Sequence, residues 1–139
     1  MSCDFEGSIA PGEGLLEWAA GSKCSKGSRL AAMAQYLQVS TATPSRDEAV
    51  RLAGSSVEAG LAAGAQVVGP VVSLFWHEGQ YGEGVEWQVL LKTTEARYAE
   101  LEGHLLKHHP WNNPEVAAVS LVAGSAGYFE WLDRTTTKP

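Results

Sequence analysis

The stretch VVGPVVSLFWHEGQYGEGVEWQVLLKT, residues 67–93, decides the fold. Val67 to Trp76 is a mostly apolar run with many β-branched residues, the composition of a long strand. Pro70 has no N–H to give to a ladder, so it should mark an edge position or a bulge. His77 to Gly84 holds Gly79, Gly82 and Gly84 and reads as a hairpin loop. Val85 to Thr93 then alternates: Trp87, Val89 and Leu91 fall on one face, Glu86, Gln88 and Lys92 on the other. Two strands joined locally form the centre of a sheet.

Before this hairpin, Tyr36 to Ser40 has strand composition. Ser45, with Glu48 three residues later, fits a capping box that opens a helix. Ala49, Ala53, Val57 and Leu61 recur every four residues beside Leu52, giving a narrow face of small residues that can lie close to a sheet. Gly54 and Gly60 weaken that helix by ~1 kcal/mol each relative to Ala. After the hairpin, Thr94 can cap a second helix whose buried side is Tyr98, Leu101 and Leu105, with Leu106 adjacent, and Pro110 stops it. Val116 to Val122 reads as a fourth strand, and Ser125 caps a last helix carrying Tyr128, Trp131 and Leu132. The order β-α-β-β-α-β-α is the split βαβ, ferredoxin-like arrangement of the α+β class, with a four-stranded antiparallel sheet and an added C-terminal helix. Helices should cover one face of the sheet. The other, left open, should find a partner through self-association.

The remaining sequence bounds this picture. The 139 residues fit one domain. Residues 1–32 are rich in Gly, Ser and Ala without a period, hold both cysteines, and read as a flexible arm; Met33 is a plausible second start, and 33–139 is the folded domain. The net charge of -6 and the lack of a basic stripe disfavour nucleic acid. No apolar run approaches the ~18 residues of a membrane span, and no secretory segment opens the chain, so a cytoplasmic location is expected.

Candidate chemistry is sparse. His104 and His108, one helical turn apart, can chelate a divalent ion, with His109 and Glu115 nearby. Helix-end histidines are also favoured simply by the macrodipole. Trp76, Tyr81, Trp87 and Trp111 lie at strand ends or loops, where exposed aromatics often mark an interface. No nucleophile elbow, phosphate loop, zinc-protease helix or dinucleotide fingerprint is present, so an enzyme is not expected; Tyr81, Glu86 and Lys92 are the residues an intersubunit pocket would recruit.

From about Val39 to Leu132 the chain resembles the CutA divalent-cation-tolerance family. The resemblance rests on Thr43-Pro44-Ser45-Arg46-Asp47-Glu48-Ala49, on Leu61 to Val68 leading to Ser73-Leu74-Phe75-Trp76-His77-Glu78-Gly79, on Glu86 and Lys92-Thr93, and on His108-His109-Pro110-Trp111-Asn112-Asn113-Pro114-Glu115 with Tyr128 to Leu132 after it. It implies a compact homotrimer, similar in architecture to the PII signalling proteins, with aromatic-lined clefts between subunits. It also implies metal binding near the His-Pro segment, by copper or zinc, with a small effector or protein partner in the clefts as the alternative function. Gly64 stands where many members carry Cys, Ser40 and Thr41 where some do, and Trp111 replaces the usual Tyr. Without thiols the remaining ligands His108, His109 and Glu115 suit Cu(II) or Zn(II) better than Cu(I).

Overall fold

The computed structural model describes residues 35–137; the arm at 1–32 and the start at Met33 lie outside them. Four strands and three helices follow in the expected order: β1 (Tyr36–Thr43), α1 (Arg46–Glu58), β2 (Gly64–His77), β3 (Gln80–Thr94), α2 (Glu95–His108), β4 (Ala117–Ser120) and α3 (Ala126–Thr136). They form one sheet in the order β2-β3-β1-β4, with every neighbouring pair antiparallel. This is the ferredoxin-like arrangement.

Alternation builds the core. Leu37 and Val39 of β1 and Val89 and Leu91 of β3 face α1 and α2, which contribute Leu52, Leu101 and Leu105. Full burial of each such aliphatic side chain contributes about 1.5–3 kcal/mol. Threonines continue the same strand faces toward the helix ends. Thr43 and Thr93 are buried and donate to the carbonyls of Ser45 and Leu61, at 2.8 and 2.7 Å. The Thr41 hydroxyl is buried with no partner.

Local signals set most boundaries. Ser45 caps α1 by accepting the Glu48 N–H at 3.2 Å, and its own hydroxyl donates to the Glu48 carboxylate at 2.9 Å. Pro70 sits on an edge strand, and the β2–β3 register shifts between Val68 and Val71, so both expectations for it hold.

Three features differ from the sequence reading. Gly60 does not weaken α1 from within; it ends it. Gly60 has φ +73°, its N–H donates to the Val57 carbonyl, and the Leu61 N–H reaches back to Ser56. This paired termination needs a left-handed residue after the cap, and Gly is the least strained choice. Leu61 is therefore buried just beyond α1, not on its stripe.

The glycine-rich segment is not a loop. The turn is only Glu78-Gly79, both with positive φ, and β3 begins at Gln80. Gly82 and Gly84 lie within β3 because the Phe75 ring packs across them. A Cβ on Gly82 would stand 2.6 Å from that ring.

Finally, the helices do not all share one face. Tyr36 and Gly64 belong to the strand positions that point away from the core. Phe129 of α3 stacks on Tyr36 with ring centroids 4.0 Å apart, and Trp131 lies over Gly64. The Tyr36 hydroxyl donates to Asp133 at 2.8 Å, and that bond, with burial and the charges of Asp133 and Glu130, raises its pKa above the usual phenol value. So α3 crosses part of the second face, and Leu132 is fully buried beneath it.

Candidate functional site

Two regions carry the candidate residues. The first is the far half of the hairpin. β1 pairs with β3 only over Trp87–Thr94, so Val71–His77 and Gln80–Glu86 pair with each other and with no third strand among the described residues. They form an arm projecting about 20 Å at ~3.3 Å per residue. Cross-strand partners point to the same side, so Val72, Val85, Leu74, Trp76 and Tyr81 share one face. All five are 58–75% exposed, and Trp76 and Tyr81 meet edge-to-face near the tip. The opposite side is quieter: Phe75 covers the glycines and Ser73 donates to Glu86 at 2.8 Å.

The four aromatics named from sequence separate within one chain. Trp76 and Tyr81 sit near the arm's tip. Trp87 lies at its root, packed against the core with its indole over Gly69. Trp111 follows α2, and its ring is 5.4 Å from that of His109.

The second region is the end of α2. His104 and His108 come together as their spacing predicts, with ring centroids 4.5 Å apart. His104 Nε2 also lies 2.8 Å from Ser55 Oγ on α1, a contact between helices that spacing does not reveal. His109 is the residue before Pro110 and is extended, with ψ 143°, so it leaves the helical line. Its Nδ1 accepts the Trp111 N–H at 3.0 Å, which requires the proton on Nε2. That Nε2–H donates to the Ala42 carbonyl at 2.8 Å. Both nitrogens of His109 are therefore engaged. Glu115 is exposed, and no group of three His, Cys, Asp or Glu side chains able to hold a metal forms among the described residues. The four-ligand set His104, His108, His109 and Glu115 is not assembled; the pair His104–His108 is.

Gly64, where the resemblance expects Cys, sits under Trp131. A Cβ there would come within 3.3 Å of the indole, so a residue without a side chain gives α3 room to seat.

Burial holds both part-buried histidines below the usual imidazole pKa of 6.5. For His104 the positive neighbours His108 and Lys107 add to the effect; for His109 the Ala42 carbonyl and Glu48 partly offset it. The folded protein thus binds these protons less tightly than the unfolded chain. Their contribution to stability is complete above about pH 6.5 and is lost as pH falls through the lowered folded values. The thermal midpoint should drop between about pH 7.5 and 5.5, and the drop should shrink in His104→Gln/His109→Gln. An equal drop in that variant would assign the acid sensitivity elsewhere.

Together these elements define a ferredoxin-like α+β domain with a projecting β-arm and a histidine pair near the end of its second helix. The model of the CutA1 divalent ion tolerance protein family matches residues 37–135, and the chain belongs to that family. The rice chloroplastic protein CutA 1 is 33% identical over 93 residues, which are 67% of this chain and 52% of the rice protein; the chain spans about half of that relative. A divalent-cation tolerance protein from Archaeoglobus fulgidus is 30% identical over 66% of this chain and 89% of its own. Among solved structures, CutA1 from Oryza sativa superposes with a TM-score of 0.72 at 30% identity, covering 77% of this chain and 98% of that one. The Thermus thermophilus protein gives 0.71 at 30%, covering 73% and 98%.

Proposed function

We propose that this protein serves divalent-cation tolerance as a cytoplasmic homotrimer that binds Cu(II) or Zn(II) and is not an enzyme. Membership of the family supports tolerance as the broad role. The observation that carries self-association is the arm: Val72, Leu74, Trp76, Tyr81 and Val85 present an exposed apolar face, and neither arm edge pairs with a third strand among the described residues. Apolar faces of this kind on small domains are resolved by association, and free strand edges template pairing with another chain. Glu83 is the one charge on that face and helps to fix how a second arm can approach.

Native mass spectrometry of the protein as isolated tests the proposal, because it reports subunit count and bound metal together. Three subunits with substoichiometric or stoichiometric copper or zinc are expected. Val72→Asp/Trp76→Asp should shift the assembly to monomer. These residues lie outside the core, so circular dichroism of the monomer should keep the native strand and helix signature. A monomeric wild type at micromolar concentration would defeat the assembly, and failure to take up either ion on titration would defeat metal binding.

A further inference from the structure

We infer that the arm of one copy lies on the open sheet face of the next, with Glu83 of the arm paired to the partner subunit's Lys92. This contact rests on the self-association proposed above and names the surface that receives the arm.

Charge disfavours the simplest alternative, two arms packed face to face. Glu83 stands opposite Leu74 in the ladder, so it lies in the middle of the apolar face, between the Val72–Val85 pair and the Trp76–Tyr81 pair. It has no ion-pair partner among the described residues. No Lys or Arg occurs between Arg51 and Lys92, so one arm has no such cation to offer another. His77 belongs to the arm's other side, with Ser73 and Phe75. Two arms brought together would take two carboxylates out of water side by side with nothing to neutralise them. The surface that receives the arm must therefore carry a cation.

Lys92 supplies it. Strand alternation turns Lys92 away from the core that Val89 and Leu91 fill. One row of register partners, Gly64, Lys92, Gln38 and Val119, crosses the sheet on that side. Lys92 is half-buried, and no carboxylate pairs with it among the described residues. Exposed apolar groups flank it on the same face: Val119 in its own row and Val68 further along β2. Arg97 is already held by Glu100, and Arg46, Arg51, Lys107 and Arg134 stand on helices. The directions of the two faces also agree. The odd-numbered positions of β3 run from Leu91 and Val89 on the helix side out to Val85, Glu83 and Tyr81, so the arm's apolar face continues the helix side of the sheet. Lys92 lies on the opposite side. An arm on the next copy's open face is thus a front-to-back contact, repeated in the same sense at every step. Such a heterologous contact generates a ring where the rotation closes, in keeping with the proposed homotrimer.

Sedimentation equilibrium of the full chain tests the pair. Glu83→Lys and Lys92→Glu should each raise the dissociation constant of the assembly by about 30-fold or more, the loss expected when one member of an enclosed pair is left facing a like charge. Glu83→Lys/Lys92→Glu should regain most of the wild-type affinity, because the pair re-forms with its signs exchanged. Lys92→Gln keeps a polar chain at the half-buried position and should weaken assembly in the same direction should Lys92→Glu fail to fold. Glu78→Lys, in the turn at the arm's tip, is the control and should assemble as the wild type does. A double variant as weak as the single ones, or single variants that assemble normally, would overturn the pair while leaving self-association intact. A monomeric wild type would remove both. Circular dichroism of each variant separates loss of the contact from loss of the fold.

Discussion

Leu101→Ala should lower stability by about 2–5 kcal/mol, the range for deleting a buried leucine side chain in a core that relaxes only partly. The residues that α2 buries are Arg97, Leu101 and Leu105, a single line at four-residue spacing. Leu101 is the middle of that line and is fully buried against the sheet. Its neighbours along the line cannot compensate. Arg97 is tied to Glu100 at 2.6 Å, and its Nε is already buried without a partner. Leu105 is itself fully enclosed. The helix therefore has few apolar anchors to share the loss, and the cavity lies directly below it. Denaturant or thermal unfolding measures the effect, and a midpoint lower by roughly 10–20 °C is expected for a domain of this size. Leu106→Ala is the control. Leu106 adjoins the line in sequence but is half exposed, so its loss should cost less than about 0.5 kcal/mol. Equal effects at the two positions would show that the buried line is misplaced.

What the sequence made legible follows a physical division. Features fixed by neighbours in sequence could be read directly. The Ser45 and Ser125 caps, the alternation of Trp87, Val89 and Leu91, and the bulge at Pro70 are consequences of backbone donors and of side-chain period. The reading failed where a residue type answers to something distant. Gly82 and Gly84 looked like loop residues because nothing local shows that Phe75, across the ladder, needs their space. Gly60 is legible in principle, because a glycine where an apolar stripe ends is a termination signal as well as a weak helix former. The seating of α3 on the second face had no local signal, since a helical period says that a face is buried but not which side of a sheet buries it. The site shows the same division. His104 and His108 could be paired by counting residues. The withdrawal of His109 depends on the Ala42 carbonyl, 67 positions away, and the contact of His104 with Ser55 joins two different helices.

Gly69→Ala should destabilise the protein by about 1–3 kcal/mol, the cost of overpacking a well-filled site. Gly69 sits in the bulge at the root of the arm, and the Trp87 indole lies flat against it. A Cβ there would stand 2.5 and 2.6 Å from two ring atoms and 3.1 Å from a third, well inside van der Waals contact. Gly82→Ala brings a Cβ to a similar 2.6 Å from the Phe75 ring, so distance alone would rank the two equally. Freedom to move separates them. Phe75 is 39% exposed on an arm with solvent around it and can swing aside. Trp87 packs against the buried core and cannot leave without opening it. Gly69→Ala should therefore cost clearly more than Gly82→Ala in denaturant unfolding. Removing the obstacle should rescue it: in a Trp87→Leu background, the penalty of Gly69→Ala should largely vanish, a coupling of the size expected for residues in direct contact. A penalty unchanged by Trp87→Leu would place the cause in the backbone of the bulge instead of in the indole. Full rescue would identify Trp87 as the packed hinge on which the arm is mounted.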